Sequence, residues 1–516
     1  MNVKEILQIA DKGTLDKCLE ILRRIDANTF DAQTMDWGAW FASRKTGELF
    51  STKFYNYDVT DTGIGELLNA SAGLSCTPST DKVKGQDDFA SHNAFWYVDC
   101  NFIVNDQGVR IPTYIDGQSG FSRTGKVQVG VLTPPLYWGE EIVSDGYIKH
   151  FSDSEHPTSR PDLNLTLMPH CRDGYGNPMP YGIVPKYYAG DIDGLMYGSS
   201  GLAVKNFASF NSVHTELQKL GIGYLGAGSE RTAYLKNFLW IKYATSNSQK
   251  YFRGCTSCNF QYAATEAASG VNYITLAKAQ ANNFYIGCTV SIGEAGESAA
   301  TSIDRGNAYM RNIADKVLVT KIEAVDDTYS RVYVDSEPFD VTTTTYISSM
   351  PLHSGQTDTV LGNDGQIAND GKHSFKIQGV EEGIGTYYVS ANECEYKETA
   401  DKTIFYNRAG AEWSNTQTDI QENWKEIGSY ESADGADFWI GEETIDLETG
   451  SGLPKTVGAG DAKGTGDRRY HGSTGTEMRE KLERGGLGSG SHAGLSCSYG
   501  GYSLSSAVWY CAACVS

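Results

Sequence analysis

Apolar residues recur at a sustained helical spacing at the N-terminus of the chain. Residues 1–29 carry such a stripe twice, broken at Asp11–Thr14, which predicts two short N-terminal helices. Residues 29–250 lack long helical periodicity, and the helices predicted there are Thr215–Gly221 and Tyr234–Ala244. The N-terminal stripe has to be buried, either against the body of the protein or against a neighbouring protein.

Elsewhere the apolar runs are short and are cut by Gly, Asn, Asp and Pro, which indicates a loop-rich α+β chain. Residues 260–350 differ, because runs rich in Val, Ile, Tyr and Thr are joined there by polar turns and predict a small all-β unit. Its predicted strands are Tyr273–Leu276, Phe284–Ile292, Val317–Ile322, Arg331–Val334 and Thr342–Ile347. After the Gly/Asn/Asp-rich segment Leu361–Lys372, further strands are predicted at His373–Val380, Thr386–Val389 and Thr403–Tyr406.

The size and charge of the chain restrict the classes of function that it can have. A chain of 516 residues with 40% hydrophobic and 21% charged residues has enough apolar material for a sizeable core. The net charge of −21 disfavours binding to nucleic acid or to anionic membranes. No apolar stretch approaches the roughly 18 residues of a membrane span, and the charged N-terminus does not resemble a signal peptide. The 11 cysteines are therefore expected to be buried thiols of a protein made in a reducing cytoplasm.

Several motifs were weighed for chemistry. Cys255–Cys258 and Cys511–Cys514 are CxxC pairs without a second metal-ligand pair at zinc-finger spacing, so they are interpreted as structural cysteines. Gly190–Gly194 and Asn363–Gly365 offer oxygen ligands for calcium but lack the EF-hand run, and solvated turns are the preferred interpretation. Nucleophile, dinucleotide and paired-histidine motifs are missing from the sequence. The sequence thus predicts no catalytic residue, metal or cofactor.

The last part of the chain has an unusual composition. From Arg484 to Ser516 there is no Asp, Glu or Lys, and Gly, Ser, Ala and Tyr dominate. A flexible linker would have this composition, yet Leu487, Leu504 and Trp509 punctuate it. We therefore expect a folded surface with buried anchors, which exposes Tyr and Ser much as an antibody paratope does. A glycine-rich terminal strand and loop without a partner is the alternative.

This segment resembles the ends of variable proteins made by diversity-generating retroelements. The resemblance rests on Gly485-Gly486, Gly490-Ser491-His492-Ala493-Gly494 and Leu504-Ser505-Ser506-Ala507-Val508-Trp509. In that family template adenines are mutagenised on copying, so exposed residues vary while the anchors stay. His, Ser, Tyr and Val are all reachable from an Asn codon in this way. The sequence departs from the family at Cys514, where an Arg often stands.

The resemblance implies which positions vary and which hold the surface. The implied variable, ligand-binding residues are Ser489, His492, Ser498, Tyr499, Tyr502, Ser506, Val508 and Tyr510. The implied scaffold consists of Gly485, Gly486, Gly490, Gly494, Leu495, Leu504, Ala507 and Trp509.

Other segments, among them Trp240–Gln249 and Asn69–Leu74, are similar to tail-associated proteins of phages and prophages of gut Firmicutes. The resemblance implies an α+β, loop-rich, C-type-lectin-like fold of the formylglycine-generating-enzyme type. Its two halves, residues 30–258 and 366–516, flank a β-rich insertion at 259–365 and follow an N-terminal helical segment at 1–29.

The function implied is that of a non-enzymatic virion protein of a tailed bacteriophage, made in the host cytoplasm. It would be a homotrimer in contact with other tail proteins, and its hypervariable C-terminal face would bind a host cell-surface protein or glycan. Nucleic-acid binding and membrane insertion are not expected. Two alternatives remain: a fixed structural component whose C-terminal face joins other tail proteins, and a metal-dependent glycan-binding lectin that uses Asp191 or Asp193.

Overall fold

The chain is mainly β. The computed structural model describes residues 32–515 except 59, 61–62, 301, 386, 400–401, 408–414, 432–436 and 471–477. Of the described residues, 36% lie in strands and 14% in helices. The predicted α+β, C-type-lectin-like fold is therefore wrong. Many strands, such as Gln128–Thr133, are short and buried on both faces, so they lack the alternation that marks a strand in sequence.

Helices are few and mostly short in the described part of the chain. They are α1 (Trp37–Ala42), α2 (Phe210–Leu217), α3 (Ser229–Tyr243), α4 (Lys278–Ala281) and α5 (Gln417–Asn423). The helices predicted for residues 1–29 lie outside the described residues. Helix α3 begins earlier than predicted because the polar residues Arg231 and Thr232 in its first turn are buried. Helix α2 runs from Phe210 to Leu217 rather than from Thr215 to Gly221, because Phe210 and Val213 are buried. Ser209 caps α2 and accepts from the Ser212 amide at 3.2 Å.

Two antiparallel sheets precede the insertion. One has the strand order β2-β1-β7-β6-β8 and the other the order β4-β3-β5-β9, while β10 and β11 form a separate pair. The strands are β1 (Phe50–Tyr55), β2 (Gly65–Asn69), β3 (Val98–Val104), β4 (Arg110–Ile115), β5 (Gln128–Thr133), β6 (Tyr137–Val143), β7 (Gly146–Ser152), β8 (Thr166–Leu167), β9 (Gly182–Pro185), β10 (Gly190–Ile192) and β11 (Leu195–Tyr197).

The central core forms where α3 packs on these sheets. Its buried aromatic rings are close together: Phe95 lies 4.8 Å from Phe50, 5.3 Å from Phe151 and 5.7 Å from Phe238 between ring centroids. Phe238 belongs to α3, whose side chains are buried on all sides. Ala493 and Leu495 from the end of the chain join the same core, so the C-terminal segment is part of the body.

Residues 261–349 form a sheet with a core of their own. The strand order is β12-β19-β15-β16-β17-β14, with β13 and β18 paired beside it. The strands are β12 (Gln261–Ala263), β13 (Ala268–Val271), β14 (Tyr273–Ala277), β15 (Thr289–Glu294), β16 (Ala314–Ala324), β17 (Tyr329–Val334), β18 (Phe339–Val341) and β19 (Thr345–Ser349). Most predicted strands overlap these. The run from Phe284 becomes a strand only at Thr289, because a turn with Gly287 at φ 89° comes first.

The remaining strands build a large sheet beneath the end of the chain. Its order is β25-β24-β23-β29-β30-β28-β26-β27, with β31 parallel to β23, and β20-β21-β22 form a small sheet of their own. The strands are β20 (Gly365–Gln366), β21 (Phe375–Ile377), β22 (Val380–Glu382), β23 (Tyr388–Thr399), β24 (Lys402–Asn407), β25 (Lys425–Glu431), β26 (Phe438–Ile445), β27 (Gly452–Val457), β28 (Arg468–Tyr470), β29 (Met478–Glu483), β30 (Ser498–Tyr499) and β31 (Cys511–Ala512).

Candidate binding face at the C-terminus

The C-terminal segment, residues 484–515, is fixed by side chains that it buries. Trp509 and Leu487 pack in one hydrophobic cluster with Cys255 and Cys258. Other anchors are distributed over separate clusters, and these are Ala493, Leu495, Leu504, Ala513 and Val515. A segment rich in Gly and Ser is thereby held at many points along its length.

Backbone hydrogen bonds tie the segment to residues 189–227. The Phe207 amide donates to the Val508 carbonyl at 3.0 Å and the Ala227 amide to the Cys514 carbonyl at 3.0 Å. The Asn206 side-chain amide donates to the Trp509 carbonyl at 2.7 Å. These partners lie far apart in sequence, so the hydrogen bonds join the C-terminal segment to the first half of the chain.

A buried ion network lies under the segment and consists of Arg231, Glu382, Glu393, Lys481, Glu483 and Arg484. Glu382 accepts from Arg231 Nη1 at 2.6 Å and from Arg484 Nε at 3.0 Å, both on Oε2. Arg484 Nη1 donates to Glu483 Oε2 at 3.0 Å, and Lys481 pairs with Glu393. The network thus joins α3 and β22 to β23 and β29.

Electrostatics in this network favours the charged forms. Burial alone would raise the pKa of Glu382, but the guanidinium groups of Arg484 and Arg231 lower it below its usual value. Burial opposes ionisation of Glu483 too, yet Lys481 and Arg484 lower its pKa to about 2. Removal of either partner of a buried ion pair leaves an uncompensated charge, so substitutions in this network are expected to destabilise the fold strongly.

Asp467 contacts the C-terminal segment on its buried side. Its carboxylate accepts from the Ser496 amide at 2.8 Å. A Cβ on Gly494 would lie 1.8 Å from Asp467 Oδ1, so only glycine fits at position 494. Burial, followed by the nearby Glu443 carboxylate, raises the pKa of Asp467 to about 7.

On the outside of the segment lies a continuous line of partly exposed rings, which we call the aromatic strip: Trp439, Tyr470, His492, Tyr499, Tyr502 and Tyr510. Successive ring centroids are 5.0 Å apart for Trp439 and His492, 6.1 Å for His492 and Tyr470, 6.4 Å for Tyr470 and Tyr499, 4.8 Å for Tyr499 and Tyr502, and 6.4 Å for Tyr502 and Tyr510. Each ring is half-buried. The strip therefore offers aromatic area whose position is set by its neighbours.

Hydrogen bonds fix the rings relative to one another. Tyr470 Oη shares a hydrogen bond with His492 Nδ1, and the hydroxyls of Tyr502 and Tyr510 share another. Burial and then Arg468 lower the pKa of His492, so its imidazole is held in the neutral form. The strip is thus uncharged along its rings.

Arginines lie at both ends of the strip. At one end the Arg468 guanidinium carbon is 5.6 Å from the Trp439 ring centroid and 5.2 Å from that of Tyr470. At the other end Arg305, which belongs to the inserted sheet region, lies 5.1 Å from the centroid of Trp509, the neighbour of Tyr510. Cation–π contacts of this type orient both partners.

The structure places the residues expected from the resemblance as follows. Half-buried are Ser489, His492, Tyr499, Tyr502, Ser506, Val508 and Tyr510, whereas Ser498 is buried, with 7% exposure. Among the expected scaffold residues, Gly485, Gly486, Gly494, Leu495, Leu504 and Trp509 are buried, Gly490 is half-buried and Ala507 is exposed. Four of the expected contact residues, His492, Tyr499, Tyr502 and Tyr510, are brought together in the aromatic strip.

Sequence reasoning missed Trp439, Arg468 and Tyr470. They lie on β26 and β28, where Trp439 is opposite Arg468 and Tyr470 is the parallel neighbour of Tyr499. A parallel pairing between distant short strands leaves no local signal. The one available hint was the cluster of aromatic and basic residues at 468–470 in a stretch otherwise poor in large apolar side chains.

All four cysteines of the two CxxC pairs are buried free thiols. Cys258 and Cys255 share a hydrogen bond, which together with burial raises the pKa of Cys258 well above its usual value. Thiols held protonated in this way are poor nucleophiles.

The acidic turns behave differently from one another. Asp191 and Asp193 pair with Lys205 at 3.3 Å and Lys126 at 2.7 Å, which agrees with a solvated turn. At Asn363–Gly365 the solvated-turn interpretation is wrong, because Asp364 is buried and pairs with Lys242 Nζ at 2.6 Å. Asp364 also forms a cluster with Cys76 and Asp87 that has the spacing of a metal site. The Lys242 ammonium already pairs with both carboxylates of that cluster, at 2.9 Å from Asp87, and offsets part of their charge.

The chain matches no protein-family model and no curated protein sequence. In the described part of the chain, none of the helices is both long enough and apolar enough to span a membrane.

Proposed function

We propose that this chain is a non-enzymatic receptor-binding protein of a tailed bacteriophage, made in the host cytoplasm and carried in the virion tail. It attaches to the host surface through the aromatic strip at its C-terminus. The observation that carries this proposal is the strip itself, a line of six half-buried rings, four of which belong to the C-terminal segment that Trp509 and Leu487 anchor.

Rigid tyrosines suit a binding surface. A tyrosine offers a large contact area and one hydroxyl while only two side-chain torsions have to be ordered. In the strip those torsions are already restricted, since Tyr502 contacts both Tyr499 and Tyr510. A partner can therefore gain contact area at a small entropic cost.

The proposal includes diversification of this face. It is supported by the resemblance of residues 485–516 to the ends of diversified proteins, together with the half-buried position of most expected variable residues. Ser498 is excluded from direct contact because it is buried. The homotrimer and the contacts with other tail proteins belong to the same proposal and rest on the resemblance alone.

A competition experiment tests the function. The purified full chain is added to cells of the bacterium that the phage infects, and adsorption of the phage is measured afterwards. We expect the chain to bind the cells and to reduce adsorption in a dose-dependent manner. If the chain does not bind the cells but binds purified virion proteins, the C-terminal face is a structural joint between tail proteins. That result would contradict the proposal.

A metal-dependent glycan-binding site at Asp191 and Asp193 is a weaker candidate. Both carboxylates are engaged by lysines, and the two residues are exposed. A chelator such as EDTA is accordingly expected to leave cell binding unchanged.

A further inference from the structure

We infer that the ligand of the aromatic strip is a saccharide chain, and that Trp439, Arg468 and Tyr470 form a constant part of its binding site. This inference rests on the proposed function and names its ligand class. It also extends the site beyond the C-terminal segment, to residues that no diversification of residues 489–510 reaches.

The constant end of the strip is built on regular strands. Trp439 and Arg468 are directly opposite each other in the β26–β28 pair. Tyr470 follows on β28 and lies beside Tyr499 of β30. Strand pairing fixes these side chains more firmly than a loop does, so this end keeps its geometry whatever residues occupy the exposed positions of the C-terminal segment.

The polar groups at this end surround the ring faces. Arg468 Nη1 lies 3.4 Å from His492 Nδ1, and its Nη2 lies 3.6 Å from Asp437 Oδ2. Tyr470 Oη is bonded to His492. An aromatic face is thus framed by a guanidinium, a hydroxyl, an imidazole and a carboxylate.

A pyranose unit is complementary to this arrangement. One face of the sugar ring presents C–H groups that stack on an aromatic face, and its rim carries hydroxyls that donate and accept hydrogen bonds. Planar, forked donors such as Arg468 bind vicinal oxygens well. Because the rings continue from Trp439 to Tyr510 in one connected line, several successive sugar units can be bound rather than one.

A protein partner is the competing ligand class, because Tyr, Trp and Arg are also enriched at the centres of protein–protein interfaces. The core of a protein–protein interface is usually a well-packed apolar patch that excludes water around its anchor residues. Among the expected contact residues of the C-terminal segment the single aliphatic side chain is Val508, and it packs partly on Leu482 and Cys511. The strip instead carries polar groups along its length, from the Arg468 guanidinium and the Tyr470 hydroxyl to the hydroxyls of Tyr502 and Tyr510, which favours a hydroxyl-rich ligand.

Chemically treated cells test the ligand class. The full chain is bound to untreated host cells, to cells oxidised with periodate, which cleaves vicinal diols, and to cells digested with proteinase K. We expect periodate to abolish binding. Polysaccharide extracted from the envelope should compete if the saccharide belongs to a surface polymer, and protease should also reduce binding if the saccharide is attached to protein.

The outcomes separate the two proposals. Binding that survives periodate and is lost with protease overturns the saccharide inference but leaves the receptor-binding function intact. A chain that binds no host cells at all overturns both.

Variants at the constant end test the residues. We expect Trp439→Ala and Arg468→Gln to weaken cell binding at least about tenfold, a change of roughly 1.4 kcal/mol or more. Tyr470→Phe removes only the hydroxyl bonded to His492, and Arg468→Lys keeps the charge but not the fork, so both should give intermediate losses. If Trp439→Ala does not fold, the two conservative variants and Arg468→Gln still decide the matter.

The inserted sheet provides a matched control. There Arg331 stacks on Tyr273 at 4.5 Å and Tyr273 lies 5.1 Å from Tyr333, which is the same type of cluster outside the strip. Arg331→Gln and Tyr273→Ala should bind cells as the wild-type chain does. Equal binding by Arg468→Gln, Trp439→Ala and the controls would overturn the assignment.

Discussion

The two sides of the C-terminal segment are stabilised by different interactions, namely ion pairs on the buried side and ring contacts on the exposed side. Below it, the buried ion network is fully enclosed and every carboxylate has a cationic partner, as Glu382 has in Arg231 and Arg484. Above it, the aromatic strip is half-exposed, and its tyrosines contact one another and the buried Leu482 and Cys511. A buried charge tolerates almost no substitution, whereas a half-exposed ring can be exchanged at a modest cost.

This difference explains how a binding face can vary while its backbone does not. Specific geometry is concentrated in residues such as Arg484, which is bonded to Glu382, and Gly494, where any side chain would collide with Asp467. The contact residues lie one layer farther out. Under the proposed function, their replacement would alter what the surface binds and leave the supporting interactions in place.

The largest effect is expected from the ion network. Arg484→Met leaves Glu382 and Glu483 short of a cation, and we expect a loss of about 3–5 kcal/mol in the free energy of unfolding. Chemical denaturation measures it. The control is Lys321→Met in the exposed pair with Glu323, which should cost less than about 1 kcal/mol. Similar losses in both variants would contradict the proposed contrast.

The next effect concerns the anchor Trp509. It is 8% exposed and packs against Leu487 and the Cys255–Cys258 turn. We expect Trp509→Ala to cost about 3 kcal/mol, because truncation of a large core side chain leaves a cavity. Trp509→Phe should recover much of this loss. Unchanged stability of the alanine variant would show that Trp509 does not anchor the C-terminal segment.

A smaller effect depends on pH through Asp467. Its pKa of about 7 in the folded protein exceeds the usual value of 3.8, so the folded state retains a proton that the unfolded chain releases. Stability is therefore highest below about pH 4 for this group and falls as pH rises towards 7. Asp467→Asn should be more stable than wild type at pH 8 and show little gain at pH 4. Thermal unfolding at the two pH values decides this.

The smallest effect on stability belongs to the aromatic strip. Tyr499→Ala combined with Tyr502→Ala should cost about 1 kcal/mol, since both rings are half-exposed. Cell binding should nevertheless fall at least about tenfold. The control pair is Tyr273→Ala with Tyr333→Ala on the inserted sheet. An insoluble double variant, or one that binds like wild type, would argue against the strip as the contact surface.

The sequence predicted parts of this arrangement and not others. Large residues that punctuate a small-residue segment, such as Leu504 and Trp509, pointed to buried anchors because an exposed tryptophan is costly. Short apolar runs identified strands such as Val317–Ile322 inside β16. These signals are local, so they can be recognised without knowledge of the fold.

What the sequence did not predict depends on distant contacts. Arg231, Glu382 and Arg484 are far apart in the chain, and charged residues are ordinarily placed on the surface. Their burial follows only once α3, β22 and β29 meet. The same holds for the mainly β fold class, because many strands pair with partners remote in sequence, as β28 does with β30.

The most direct test of the account is deep sequencing of the 3′ end of the gene across a growing phage population, with a search of the flanking DNA for a near-copy. We predict that substitutions accumulate at His492, Tyr499, Tyr502 and Tyr510, while Gly494, Trp509 and the constant residues Trp439, Arg468 and Tyr470 do not change. An invariant 3′ end without any template copy would contradict the claim that an exchangeable strip lies on a fixed base.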